Sequence, residues 1–187
     1  MSFRVITGSA GGLRLKVPPQ FHSRPTQDRV KQAIFSSLGA RVPGARVLDL
    51  YAGTGALGIE ALSRGADGAT FVESRAPYCA TISENLAYCK LTGNVVRQDA
   101  AAFVQACATQ FDLIFADPPY AKERRDLAGD EVVRAIAPLL AADGVLVWEH
   151  DRRNEWRSLA AGLTLLKTAT YGETAVSYLG LKIFNKP

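Results

Sequence analysis

Apolar positions recur along this chain with two periods, and each change of period marks an element. Short unbroken apolar runs alternate with stretches in which apolar residues return every three or four positions. The runs read as strands buried on both faces, and the helical spacing reads as helices packed against them. Arg46 to Leu50 is the first run, followed by a helix from about Ala56 to Arg64 that stops at Gly65. Ala69 to Glu73 is the second, and the helix after it carries Ile82 and Leu86. Val95-Val96-Arg97 is a short third strand. A helix near Ala101 to Ala108 leads to the run Phe111 to Ala116, and one near Glu131 to Leu140 leads to Val145 to Trp148. Leu163 to Tyr171 and Ala175 to Ile183 read as a hairpin turning at Gly172.

Repeated strand–helix units predict an α/β fold: a doubly wound, mostly parallel, seven-stranded sheet with helices on both faces. The N-terminus has a different rhythm. Phe3-Arg4-Val5-Ile6 and Leu13-Arg14-Leu15-Lys16-Val17 alternate around the turn-rich Gly8 to Gly12, which predicts a β-hairpin ended by Pro18-Pro19. An Arg24-Pro25 elbow follows, then Thr26 as N-cap of a helix carrying Val30, Ile34 and Leu38. The chain therefore divides into an arm, residues 1–40, and a main domain, residues 41–187.

Charge gives the arm a purpose. The whole chain of 187 residues carries a net charge of +4. Residues 1–31 hold Arg4, Arg14, Lys16, Arg24, Arg29 and Lys31 against Asp28 alone, a net of +5, so the remainder stands at −1. Such an asymmetry predicts an arm that binds a polyanion. Other classes recede. No apolar segment approaches the roughly 18 residues of a membrane span, and no signal-like run follows the first residues. Three widely spaced cysteines, Cys79, Cys89 and Cys107, suit unlinked thiols in a reducing cytoplasm. His22 and His150 lie far apart without ligand-like neighbours, so no metal is expected.

Two strand ends carry candidate chemistry. Gly53-Thr54-Gly55-Ala56-Leu57-Gly58 follows the first strand in a G-x-G-x-x-G pattern. A dinucleotide would set its pyrophosphate at this turn. Asp49, at the strand tip, would face that anion at an expense on the order of 1–4 kcal/mol. S-adenosylmethionine has no phosphate, and its sulfonium and ammonium favour a nearby carboxylate. Glu73 ends the second strand, 18 residues after Gly55, where it can accept both hydroxyls of a ribose. Asp99, after the third strand, could accept from an adenine amine or cap the following helix.

Asp117-Pro118-Pro119-Tyr120 ends the fourth strand. A carboxylate, a proline-fixed carbonyl and an aromatic ring suit the handling of a planar base bearing an amine. Pro119 restricts Pro118 to an extended conformation, which fixes the direction of its carbonyl. Tyr120 can stack on a base. Lys122, Arg124 and Arg125 follow and could meet phosphates near the target.

Asp49 to Gly58, Glu73, Asp99 and Asp117 to Tyr120 resemble the successive motifs of class I S-adenosylmethionine-dependent methyltransferases, a Rossmann-like family. Asp-Pro-Pro-Tyr is similar to the motif of members that methylate exocyclic base amines. Arg24 to Val30, the glycine-rich segment Gly8 to Leu15, and Tyr171-Gly172-Glu173-Thr174 look like the RsmD family. The resemblance implies transfer of a methyl group to the N2 amine of a guanine in 16S ribosomal RNA, free or in a small-subunit assembly particle; a cytoplasmic, monomeric enzyme is expected. It implies catalytic roles for Asp117, Pro118, Pro119 and Tyr120. It implies cofactor contacts from Asp49, Tyr51, Ala52, Gly53, Thr54, Gly55, Glu73, Asp99 and Ala100. RNA contacts are expected from Arg4, Arg14, Arg24, Thr26, Arg29, Lys31 and Lys122. An adenine-N6 DNA methyltransferase and a non-catalytic RNA-binding factor on the same fold are the competing readings.

Overall fold

The computed structural model describes residues 3–18, 28–119, 126–157, 159 and 162–182. The apolar runs form seven strands: β1 (Arg46–Leu50), β2 (Gly68–Glu73), β3 (Asn94–Arg97), β4 (Phe111–Ala116), β5 (Leu140–Asp151), β6 (Leu163–Tyr171) and β7 (Thr174–Leu181). The helical stretches form α1 (Asp28–Leu38), α2 (Ala56–Ser63), α3 (Ala76–Tyr88), α4 (Ala100–Ala106) and α5 (Glu131–Ala135). One sheet takes the order β3-β2-β1-β4-β5-β7-β6. The strands from β3 through β5 pair in parallel, and β7 runs antiparallel between β5 and β6. The order reverses between β1 and β4, and that reversal opens a crevice at the carboxyl ends of the strands.

Alternation along each strand sends side chains to two cores. Val47, Phe71, Leu113, Phe115 and Val147 face α1, α2 and α3. Leu48, Leu50, Val72, Ile114 and Trp148 face α4 and α5. Both faces are covered, which is why these strands read as unbroken apolar runs.

The structure departs from the sequence reading in three elements. The helix near Glu131 to Leu140 is short: α5 ends at Ala135, and Ala137–Leu139 is a separate 3-10 turn containing Pro138. Proline has no N–H for the helical ladder and its ring clashes with the carbonyl four residues back. β5 is longer than its apolar centre: Leu140 pairs with Phe111 ahead of a register shift that takes in Ala141 to Gly144, and pairing with β7 carries Glu149 to Asp151 into the sheet. The N-terminal hairpin reduces to an isolated Arg4–Arg14 bridge, held by Val5 N–H to Leu13 O (2.9 Å) and Leu15 N–H to Phe3 O (2.7 Å).

The arm docks on helices instead of extending a sheet. Val5, Ala10 and Leu15 are buried in the same cluster as α1 and α2. Glu60 of α2, wholly buried, accepts from the N–H groups of Ile6 (2.6 Å) and Thr7 (3.1 Å). Its other partners are Arg64 Nε (2.7 Å) and Lys31 Nζ (3.4 Å). Lys31 also donates to the Arg4 carbonyl. The Ser63 hydroxyl bonds Ala10 N–H and the Thr7 carbonyl.

Candidate active site

The crevice at the strand reversal holds a cavity of about 390 Å³. The loop after β1 gives its wall Tyr51, Ala52, Gly53 and Thr54. Tyr51 (φ 57°), Gly53 (φ 58°) and Gly55 (φ 77°) are all left-handed, which turns the chain tightly from strand into helix. Glycine adopts that conformation freely, whereas Tyr51 stores strain of order 1–3 kcal/mol, a feature concentrated at functional sites. Several amides of this segment bond inside the protein. Ala52 N–H donates to Val72 O (3.1 Å) and Gly55 N–H to Ala52 O (2.7 Å). Gly53 N–H donates to Glu73 Oε2 (3.1 Å) and Gly58 N–H to Asp49 Oδ2 (2.8 Å).

Gly58 has a packing role. A Cβ there would lie 2.3 Å from Phe71 Cε1 and 3.1 Å from Asp49 Oδ2. Its absence lets α2 close onto β2 and bring its amide to Asp49. Asp49 is 2 % exposed. Desolvation pushes its carboxyl up to about 7, with the charge of Glu73 adding to the rise and the Gly58 amide opposing it.

Glu73, also buried, is oriented by Gly53 N–H and by Arg75 N–H at 2.9 Å on Oε1. Arg75 lies 3.5 Å from Glu73 Oε1 and 3.7 Å above the Tyr78 ring. Asp99 does what its alternative reading foresaw: it caps α4, with Oδ1 accepting from Ala101 N–H (2.9 Å) and Ala102 N–H (3.1 Å). It still lines the cavity beside Gln98 and Ala100. Leu50 pairs with Ala116 in the β1–β4 register, so the next residues, Tyr51 and Asp117, emerge side by side. Asp117 and Pro119 reach the cavity.

The cavity thus brings together Asp49, Tyr51, Ala52, Gly53, Thr54, Glu73, Asp99, Ala100, Asp117 and Pro119. Gly55 caps α2 without lining it, and Pro118 is buried behind it. Lys31 is a correction: it is 2 % exposed, and its ammonium is spent on Glu60 and the Arg4 carbonyl, out of reach of any RNA phosphate. Burial lowers its pKa, while Glu60 pulls it back up. Arg4, Arg14 and Arg29 are exposed, with Arg4 Nε 3.0 Å from Asp28. Arg24, Thr26, Tyr120, Lys122, Arg124, Arg125 and His22 lie outside the described residues. Among the described residues, no group of three or more His, Cys, Asp or Glu could hold a metal ion, and no helix is long and apolar enough to cross a membrane.

Phe3 and Arg75 also line the cavity, and sequence reasoning passed over both. Arg75 sits two positions past the strand-end acid, a place that could have drawn notice. Phe3 carries no local signal, since its place depends on how the arm folds back.

The family described as conserved hypothetical protein 95 matches residues 3–180 of this chain. The YlbH protein of Bacillus subtilis (strain 168) is 41 % identical over 179 residues, covering 93 % of this chain and 96 % of that protein. Ribosomal RNA small subunit methyltransferase D of Escherichia coli (strain K12) is 35 % identical over 176 residues, covering 92 % and 86 %. The solved structure of yhhF from Escherichia coli has a TM-score of 0.84 at 31 % identity, covering 96 % of this chain and 97 % of that one.

Proposed function

The chain belongs to the family described as conserved hypothetical protein 95, and from that premise we propose that it is a ribosomal RNA methyltransferase that modifies the N2 amine of a guanine in 16S RNA. The observation that carries the donor half of this reading is the fate of the loop amides. A pyrophosphate at a glycine loop needs N–H groups pointing outward. Here those of Ala52, Gly53, Gly55 and Gly58 are already bonded within the protein. Among the described residues, the cavity also presents four acidic side chains, Asp49, Glu73, Asp99 and Asp117, against the guanidinium of Arg75. That balance repels a polyphosphate and suits a cationic nucleoside. S-adenosylmethionine, when bound, supplies an electrophilic methyl group on a sulfonium.

The residues present fit such a donor. Glu73 keeps lone pairs for two ribose hydroxyls beyond those used by Gly53 and Arg75. Asp49 would hold the cationic end, and Asp99 keeps Oδ2 for an adenine amine.

The acceptor half rests on Asp117 and Pro118. A guanine N2 lone pair is delocalised into the ring, so the amine is a weak nucleophile. Asp117 Oδ and the Pro118 carbonyl would each accept one N–H and aim the lone pair at the incoming carbon. Positive charge grows on nitrogen as the bond forms, and both acceptors then bind it more strongly. Alignment of this kind is worth up to about 7–11 kcal/mol. The target base must be unpaired or extruded to reach the cavity. The exposed arginines of the arm supply phosphate contacts that set register.

Incubating the protein with labelled S-adenosylmethionine and, in separate reactions, naked 16S RNA, small-subunit particles and duplex DNA tests this, with the product digested to nucleosides and weighed. N2-methylguanosine is expected; N6-methyladenosine on DNA would overturn the acceptor. Asp117→Ala is expected to lower turnover about 10²–10³-fold, as for other lost transition-state hydrogen bonds, while donor affinity changes little. Undiminished turnover would remove Asp117 from the chemistry.

A further inference from the structure

One wall of the cavity belongs to the arm. Phe3 lines it together with Asp49, Tyr51 and Leu57, and packs against the core cluster of α1 and α2. Its position is fixed from several directions. The Phe3 carbonyl accepts from Leu15 N–H at 2.7 Å, which registers the two halves of the arm. The next residue, Lys16, is clamped by Asn85 of α3: Lys16 N–H donates to Asn85 Oδ1 (2.8 Å), and Asn85 Nδ2 donates to the Lys16 carbonyl (3.0 Å). The same Nδ2 group donates to the carbonyl of Thr54 at 3.0 Å. Thr54 lies in the glycine loop and lines the cavity too. Asn85 is wholly buried, so these bonds have no water to replace them.

The contacts close a ring that runs from the cavity through Phe3, Leu15, Lys16, Asn85 and Thr54 back to the cavity. Lifting the arm would remove one wall and release the anchor of another. A molecule that fills the cavity presses on both ends of the ring and holds it shut.

We propose that Phe3 is a donor-contacting residue and that the arm is an integral part of the donor site, so that arm docking and donor binding stabilise each other. The inference rests on the methyl-donor reading given above. Coupling of this kind is reciprocal. Arg4 and Arg14, exposed on the arm, are then not isolated from the chemistry. RNA that holds the arm down strengthens the donor site, and a bound donor presents an ordered arm to RNA.

The test is a calorimetric titration of S-adenosylhomocysteine into the full-length chain and into Phe3→Ala and Phe3→Leu. Losing the ring is expected to weaken binding about tenfold, the scale of one buried aromatic face, and leucine is expected to stay within about threefold of the natural residue. Amide exchange in the unaltered protein gives a second readout that no folding defect can confuse. Exchange across residues 3–16 is expected to slow when S-adenosylhomocysteine is added. Phe3→Ala binding like the natural chain, or arm exchange indifferent to the ligand, overturns the inference while leaving the donor reading intact. No binding by the natural chain overturns the donor reading itself, and this inference with it.

Discussion

Asp49 was legible as a strand-end carboxylate beside a glycine loop, but its protonation was not. The shift arises because α2 packs down on β2 across Gly58 and shuts the carboxyl away from water. Burial raises its pKa from 3.8 to about 7. The neutral form is therefore the one that folding favours. Its contribution to stability is complete below pH 3.8 and is lost as pH rises through about 7. A cationic donor prefers the opposite form. Affinity for S-adenosylmethionine should climb up to about tenfold per pH unit below 7 and level off above it. Titration calorimetry between pH 5.5 and 8.5 reads this directly, and binding on the acid side should release a proton. Asp49→Asn should flatten the profile, bind the donor weakly at every pH, and leave the ligand-free protein more stable above pH 7. A variant that kept the natural pH profile would move the titrating group elsewhere.

The sheet elements were legible because a strand buried on both faces is apolar nearly throughout, as in the run from Phe111 to Ala116, where Asp112 alone interrupts. The arm was not, because its partners are polar residues of distant helices. Nothing in the sequence around Glu60, Ser63 and Asn85 says that they serve residues 6, 7, 10 and 16. The same blindness turned Lys31 into an expected RNA contact, when α1 points it inward to Glu60. Lys31→Met discriminates between the two roles. Breaking a buried pair outright costs about 3–5 kcal/mol. Glu60 would keep Arg64 and two backbone amides, so the loss should fall nearer the roughly 1–3 kcal/mol of one lost partner. Urea unfolding measures it. The salt dependence of RNA binding should stay unchanged, because no phosphate contact is removed. A shallower salt dependence with full stability would return Lys31 to the RNA surface.

At the scale of the whole molecule, the basic arm is both part of the core and the source of the excess positive charge. Cutting away residues 1–31 cannot separate those roles. Val5, Ala10, Leu15 and Val30 would leave the core, and Glu60 would lose Lys31 and both arm amides. Loss of RNA binding after such a cut would report unfolding as readily as lost contacts. Charge must be removed with the fold left in place, and Arg14 and Arg29 offer that because both are exposed. Each phosphate contact releases counterions and contributes about 0.7–0.9 to the slope of log affinity against log salt. If both arginines touch RNA, the Arg14→Gln, Arg29→Gln double variant should flatten that slope by about 1.4–1.8. Affinity should fall most at low salt, where the electrostatic share is largest. Binding of S-adenosylhomocysteine without RNA and the urea midpoint should both match the natural chain, since neither side chain enters the cavity. A full slope in the double variant would place the RNA contacts on another surface and reduce the arm to a wall of the donor site.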